Sequence, residues 1–416
     1  MKIALVSPYD INYPGGVTRH VTHFADFLTK NGHSVKIIAP CSNESQKRHD
    51  VISIGKPIPI PKAGSVGRIS ISLWNWPRVA WILHHYKFDV IHIHEPEVPF
   101  LPMTVLAHAK PEKNLLIATF HASHERTFGD QLYSTLTKTS GIANWLKKFH
   151  GKIAVSNSAK EFITHFWPGV YKIIPNGVDT HRFSADVQPL DKFMDGKLNI
   201  LFVGRLGNNE KRKGLKYLIK AYDSVSQQVP NSRLIIAGPG KVDDESRVEL
   251  EKLKDADVVF TGRLSDDELP KYYRSADIFC APSLGGESFG IILAEAMACA
   301  KPIIASEIDG YIQVMRGDIQ IKEPSKVPVS AHSNDSNGLL TTTDAGIMVP
   351  PGDSESLAKA LITLANQKQL RDDMGARGRE IVERNFSWDT VGIKVLNFYQ
   401  RKLKAKARYE RRFRHK

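Results

Sequence analysis

The sequence predicts an α/β protein of two doubly wound domains, and three observations carry that prediction. The chain has 416 residues, 42% of them hydrophobic, which is more than a single core ordinarily organises. Short, nearly continuous apolar runs rich in Val and Ile alternate with helical patterns, as in parallel sheets covered on both faces. These runs form two sets, with a polar, turn-rich stretch between them.

"KIALVS" (2–7), "SVKIIAP" (34–40), "DVIHIH" (89–94), "LLIATFH" (115–121) and "GKIAVS" (151–156) read as the strands of a first sheet. "LNILFVGRL" (198–206), "RLIIAGPG" (233–240), "DVVFTGRL" (257–264), "DIFCAPS" (277–283), "PIIAS" (302–306) and "GIMVPP" (346–351) read as a second. Between them lies "IIPNGVDTHRFSADVQPLDKFMDG", which places the boundary near residue 184 and the domains at 1–183 and 184–389. "NFSWD" breaks a helix, and a further helix begins at Thr390. Residues 390–416 are expected to cross back and complete the first domain. The stretch 315–346, rich in Ser, Asn, Thr and Pro, reads as an exposed loop.

Composition excludes several classes. Cys41, Cys280 and Cys299 are too few and too scattered for a disulfide framework or a zinc cluster, so a reducing compartment and no structural metal are expected. No run approaches the roughly 20 apolar residues of a spanning helix, and "MKIALVSPYD" is too short in its apolar part for a signal peptide. The net charge is +13, and the last sixteen residues, "RKLKAKARYERRFRHK", hold nine Lys/Arg against one Glu. Such an arm suits an anionic surface, either phospholipid or nucleic acid, and equally a solvated helix end.

Ligands of open α/β sheets bind beyond the carboxyl ends of strands, and the unusual residues fall there. After the first strand, Gly15 and Gly16 open a helix; glycines at such a corner let backbone N–H groups approach a phosphate, though they also suit a plain tight turn. After the strand at 198–206, Arg205 and Lys213 could converge on a diphosphate, or belong to a solvated basic loop along with Lys211 and Arg212. In "GGESFGIILAEAM", a turn carrying Glu287 leads into a helix opening near Gly290, where amides from Ser288 onward, through Phe289, could meet a pyrophosphate. Glu295 lies eight positions after Glu287, at most about 12 Å if wholly helical, comparable to the ribose-to-sugar length of a nucleotide sugar. Its helix is apolar nearly all round, and a buried acid needs a partner.

"PGG" after the first strand, "PNGVD" at 175–179, Arg205 with Lys213 and Gly214, and the Glu287/Glu295 pair together resemble glycosyltransferase family 4, the retaining enzymes of GT-B fold. The resemblance runs to "FSW" at 386–388. It implies two Rossmann-like domains facing a central cleft, the first binding acceptor and the second nucleotide sugar. By the same resemblance, Gly16 meets the donor diphosphate and Arg205 and Lys213 neutralise it. Glu287 then binds the sugar, Glu295 the ribose, backbone around Leu264 with Asp266 the base, and His121 of "ATFHAS" lies near the transferred sugar. "PYDINYPGGVTRHV", "PIPIPKAGSVGRI" and "FDVIHIHEPEVP" resemble the branch that moves mannose from GDP-mannose onto phosphatidylinositol at the inner face of the cell membrane. That branch implies acceptor residues Tyr9, Ser65 and Arg68.

Here the chain departs from the branch pattern: Lys62 and Ala63 stand where the branch has a tyrosine and an asparagine. The helix "LWNWPRVAWILHHYK" carries Trp74, Trp76, Trp81 and a single Arg78 in place of a basic cluster, which suits an interfacial surface, although any one tryptophan could be core. The resemblance further implies same-face substitution without a metal or other cofactor, the departing diphosphate taking the acceptor proton. A family 4 enzyme using a UDP-sugar and another acceptor, a nucleotide-sugar epimerase, and a nucleic-acid-binding protein are the alternative classes, and nucleic acid is not the expected partner.

Overall fold

The computed structural model describes all residues except 14, 63–64, 73, 124–145, 254–255, 319–339 and 414–416. Most of the loop expected at 315–346 therefore lies outside the described residues. The chain divides into two compact units, Met1–Gly177 with Trp388–Lys416, and Val178–Ser387.

In the first unit, β1 (Lys2–Val6), β2 (Ser34–Ala39), β3 (Val51–Ser53), β6 (Val90–His94), β7 (Leu115–Phe120), β8 (Gly151–Ala154) and β9 (Lys172–Ile173) form one parallel sheet in the order β3-β2-β1-β6-β7-β8-β9. β4 (Ile58–Lys62) and β5 (Ser65–Ile69) form a separate antiparallel hairpin. Proline at 59 and 61 fits a two-stranded element with no third strand to hydrogen-bond. In the second unit, β10 (Leu198–Val203), β11 (Ser232–Ala237), β12 (Val258–Gly262), β13 (Ile278–Ala281), β14 (Ile303–Ser306), β15 (Thr341–Thr343) and β16 (Gly346–Val349) run in the order β12-β11-β10-β13-β14-β16-β15. Only β15 is antiparallel among the described strands of this sheet.

All eleven runs read as strands from the sequence are strands; β3, β9 and β15 add short edges of two or three residues, too brief to leave a pattern. The strand order reverses between β1 and β6 in one sheet and between β10 and β13 in the other. The carboxyl ends of these four strands are the switch points at which α/β proteins bind ligands.

The final helix, Trp388–Phe413, buries Trp388, Val391, Val395, Phe398 and Tyr399 against Phe24, Phe27, Leu115 and Ile117 of the first unit. The crossing back is thus a hydrophobic one. The seam, however, lies at 177/178 rather than near 184, and at 387/388 rather than 389/390. The turn-rich stretch after Val178 belongs to the second unit because it is pinned there: Phe183 packs edge-on to Tyr273, Phe193 to Tyr272, and Leu190 N–H donates to Ser275 Oγ. In the first unit, Trp388 closes over Gly177, where any Cβ would sit 2.4 Å from the indole.

The basic tail is not a loose arm through its first turns. The helix continues to Phe413, Leu403 packs against the core, and Lys406 Nζ donates to the Asn114 carbonyl at 3.3 Å. No helix among the described residues is long and apolar enough to cross a membrane.

Candidate active site

In the second unit the chain leaves β10 at Gly204 and returns through a short 3-10 segment, Asn208–Lys213, to the helix Leu215–Gln228. Gly214 makes that return possible. Its φ is +73°, and a Cβ there would lie 1.9 Å from the Pro282 carbonyl, so only glycine lets the loop rest against the segment leaving β13. That contact brings Lys213 to Glu287.

Lys213 Nζ lies 2.6 Å from Glu287 Oε1, and Arg212 Nη1 lies 2.7 Å from the same oxygen. Arg205 Nη2 lies 2.7 Å from Glu210 Oε1, and Arg212 Nη2 reaches Glu210 Oε2 at 3.5 Å. Five side chains therefore alternate in charge, Arg205, Glu210, Arg212, Glu287 and Lys213, across the ends of β10 and β13. Burial alone would raise the Glu287 carboxyl, but the charges of Lys213 and Arg212 and their hydrogen bonds outweigh it and hold it below the usual carboxylate range. Sequence reasoning named Arg205, Lys213 and Glu287 but passed over Glu210 and treated Arg212 as surplus charge.

Glu287 is held from behind as well. Gly310, in the helix Asp309–Arg316, approaches so closely that a Cβ would meet the Glu287 carbonyl at 2.0 Å. Tyr311 from the same helix hydrogen-bonds Ser283 across 2.9 Å. After Gly290, which has φ +82° and caps the helix Ile291–Ala298, Glu295 is buried and accepts from Tyr273 Oη at 3.0 Å. It is not a helix-surface acid. Phe289, expected near the ligand, turns its ring into the core against Phe386, so only its backbone is available to a ligand. Leu264 is half-buried and Asp266 exposed; the Asp266 carbonyl accepts from Arg182 and its carboxylate lies 3.6 Å from the same guanidinium.

In the first unit, alternate residues of β6 project to one face, which places His92 and His94 side by side, their ring centroids 4.3 Å apart. β7 contributes Thr119, whose hydroxyl is 2.6 Å from His92 Nε2, and the segment just after it contributes His121, whose Nε2 lies 3.0 Å from His94 Nδ1. His20, from the helix Gly16–Lys30, packs edge-on against His94, His121 and Trp388. Tyr399 Oη is 2.6 Å from His92 Nδ1. All four imidazoles are buried, and burial, reinforced by the neighbouring rings, pushes His20, His92 and His94 below the ordinary histidine value; His121 is lowered by burial while Glu95 and Asn176 oppose it. They are therefore neutral near pH 7. "HIH" on a strand followed by "ATFH" on its neighbour was the available signal, and only His121 was drawn from it.

His121 has its backbone fixed too. Glu95, buried with φ +50°, accepts hydrogen bonds from the backbone N–H groups of His121 and, at 3.0 Å, Ala122. Ring nitrogens of His20, His94 and His121 lie within 4.8 Å of one another, close enough to serve a metal ion; the hydrogen bond between His94 and His121 also accounts for that pair without one.

At the Gly15–Gly16 corner a Cβ on Gly16 would find no atom within 4 Å, so packing does not demand glycine; the corner simply leaves backbone open. Arg68 of β5 has its guanidinium 4.5 Å from the Tyr13 ring and 3.8 Å from the carboxylate of buried Asp10, while half-buried Tyr9 bridges to Ile69 and feels the charges of Glu95 and Glu97. Tyr9 and Arg68 are thus neighbours. Ser65 lies in the same strand, and Ala63 is outside the described residues.

Two doubly wound units with charged residues at the switch points of both sheets are the architecture of GT-B glycosyltransferases. Solved structures agree on the fold: sucrose-phosphate synthase from Thermosynechococcus elongatus superimposes with TM-score 0.69 at 21% identity, covering 97% of this chain and 99% of that one. HepE from Anabaena, in complex with UDP and glucose, gives 0.68 at 17%, covering 96% and 99%. Residues 14–182 match the family model Glycosyltransferase Family 4, and residues 197–367 match Glycosyl transferases group 1. The chain is 34% identical over 401 residues to the phosphatidyl-myo-inositol mannosyltransferase of Mycolicibacterium smegmatis, covering 96% of this chain and 94% of that protein, and 33% identical to the one from Mycobacterium leprae, covering 96% of each. The protein belongs to glycosyltransferase family 4 and is a glycosyltransferase.

Proposed function

We propose that the protein is a retaining α-mannosyltransferase that moves mannose from GDP-mannose onto an inositol phospholipid. The observation that carries the donor half is the cation pair Arg205 and Lys213 set beside Glu287 at the ends of β10 and β13. In this reading the donor diphosphate replaces Glu287 as the partner of Lys213 and takes the donors that Arg205 does not turn toward Glu210, which frees Glu287 to accept hydrogen bonds from sugar hydroxyls. Glu295 takes the ribose, and the backbone at Leu264 and beyond takes the base. Within the first unit, the same reading assigns Gly16 to the diphosphate, His121 to the transferred sugar, and Tyr9, Ser65 and Arg68 to the acceptor. Mannose and inositol phospholipid are supported by the names of the relatives that match over nearly the whole chain.

Chemistry follows the charges. As the bond between sugar and diphosphate breaks, negative charge grows on the departing oxygen; Arg205 and Lys213 stabilise it, and it takes the proton of the incoming hydroxyl on the same face. Two fixed cations fill the place of a metal, so none is required. The lipid acceptor would be met at the inner membrane surface. Trp74, 91% exposed, with Trp76, Trp81 and Ile71, supports that attachment, since Trp81 stacks on His85 at the surface rather than entering the core. The basic end of the last helix adds electrostatic attraction.

The test is a donor screen with purified protein and phosphatidylinositol vesicles, with the anomeric configuration of the product read by NMR. GDP-mannose turnover with retained configuration is expected. Turnover of UDP-sugars alone would replace the donor assignment, and an epimerised donor without transfer would overturn the function.

A further inference from the structure

Glu210 is a carboxylate among the cations assigned to an anionic ligand, and it is buried, only 8% exposed. A solvated counterion would look different. Lys211, its neighbour, pairs with Glu245 across 2.6 Å with both side chains nearly half exposed, and a pair of that kind contributes little. Burying a carboxylate is costly unless its partners are close and fixed, and Glu210 has two: Arg205 at 2.7 Å and Arg212 at 3.5 Å.

The consequences differ for the two partners. Arg205 is 39% exposed, and Glu210 is its one ion-pair partner among the described residues, so Glu210 is the charge that restricts a long side chain with many rotamers. A guanidinium has five N–H donors in a rigid fork, so holding one edge aims the rest. Arg212 is already held by Glu287 at 2.7 Å and the Gly286 carbonyl at 3.3 Å, and its looser contact with Glu210 is secondary.

We propose that Glu210 is a positioning residue for transfer: it fixes Arg205 in the direction from which that guanidinium meets the charge developing on the leaving diphosphate. The inference rests on the donor reading given above for Arg205. It concerns direction more than charge, and that makes it separable from a general electrostatic effect. Removing a nearby negative charge strengthens the ground-state attraction of a basic site for a diphosphate, whereas losing the aim of Arg205 removes stabilisation made in the transition state.

The experiment compares Glu210→Ala, Glu210→Gln, Glu210→Asp and the double variant Arg205→Ala/Glu210→Ala by steady-state kinetics, with GDP and UDP titrated calorimetrically into each protein. Glu210→Ala is expected to lower kcat about 10²-fold, in the range of losing one fixed donor to a developing anion, with nucleotide affinity unchanged or higher. Glu210→Gln keeps an acceptor at the same reach and should recover kcat to within about tenfold of the wild type. Glu210→Asp keeps the charge but retracts it by one methylene, and should remain as impaired as alanine. The double variant should be no slower than Arg205→Ala alone, because the two act as one unit. Wild-type kcat in Glu210→Ala, multiplicative losses in the double variant, or Asp outperforming Gln would overturn the proposal. If Glu210→Ala does not fold, the opposite ranking of the isosteric Gln and the charged Asp still decides. Failure of the wild type to bind either nucleotide would instead overturn the donor reading.

Discussion

Lowering the pH from 7.5 to 5.5 should destabilise the first unit selectively, and the buried histidines set the size of the effect. His92 is held at about 3, and His20 and His94 well below the ordinary value, burial being the largest cause in each. The sign follows from proton counting: the unfolded chain binds protons below about pH 6.5 that these folded imidazoles refuse, so stability falls as pH falls through the unfolded value. Each such group removes about 1.4 kcal/mol between pH 7.5 and 5.5, roughly 4 kcal/mol for three, a large share of the 5–15 kcal/mol typical of a domain. His121, also lowered by burial although Glu95 opposes it, adds a smaller share of the same sign, as do His33, His108 and His150. The readout is specific, since all 6 tryptophans of the chain fall in the first unit and none in Val178–Ser387. In guanidinium unfolding followed by tryptophan fluorescence, log K should therefore fall by about two between pH 6.5 and 5.5, with the slope approaching three protons at lower pH, and His92→Gln should reduce that change by about a third. A wild-type slope below one proton between pH 6.5 and 5.5 would refute the neutral cluster.

Glu287→Gln should fold normally and lower kcat by about 10²-fold, because the amide keeps the shape but weakens its grip on Lys213 and on sugar hydroxyls; wild-type turnover would end the role given to Glu287. Gly310→Ala must displace the Glu287 carbonyl, 2.0 Å from the new Cβ, and should cost about 1–3 kcal/mol by thermal melt together with a fall in kcat; unchanged turnover would show that Glu287 tolerates a shifted backbone. EDTA should leave transfer intact, whereas activity restored by magnesium, manganese or zinc would overturn metal independence and direct attention to His20, His94 and His121. Charge reversal at Arg408 and Arg411 should weaken binding to anionic vesicles at low salt, and it spares Leu403 and Lys406, which truncation after Tyr399 would remove; equal binding would place attachment on Trp74–Trp81.

The sequence by itself determined the eleven principal strands and their parallel arrangement, because continuous apolar runs between helical patterns have no other economical burial. It also located the glycine-bearing and charged loops of the candidate site, since Gly15–Gly16, Arg205, Lys213 and Glu287 all come in the segments that follow strands. Neighbouring runs say nothing about which strand pairs with which. Only the tertiary structure put β6 beside both β1 and β7, and so assembled His20, His92, His94 and His121 from a helix and two strands up to 101 residues apart in the chain. The same holds for Glu210. In sequence it is one acid in a basic loop, indistinguishable from a solvated counterion, and its burial between Arg205 and Arg212 arises only when Gly214 brings that loop against Pro282. The seam at residue 177 was likewise invisible, because a turn-rich stretch reads as a linker until the aromatic partners of Phe183 and Phe193 are in place. Local pattern fixes what a segment can bury; which polar groups are then left facing one another is a property of the packed whole.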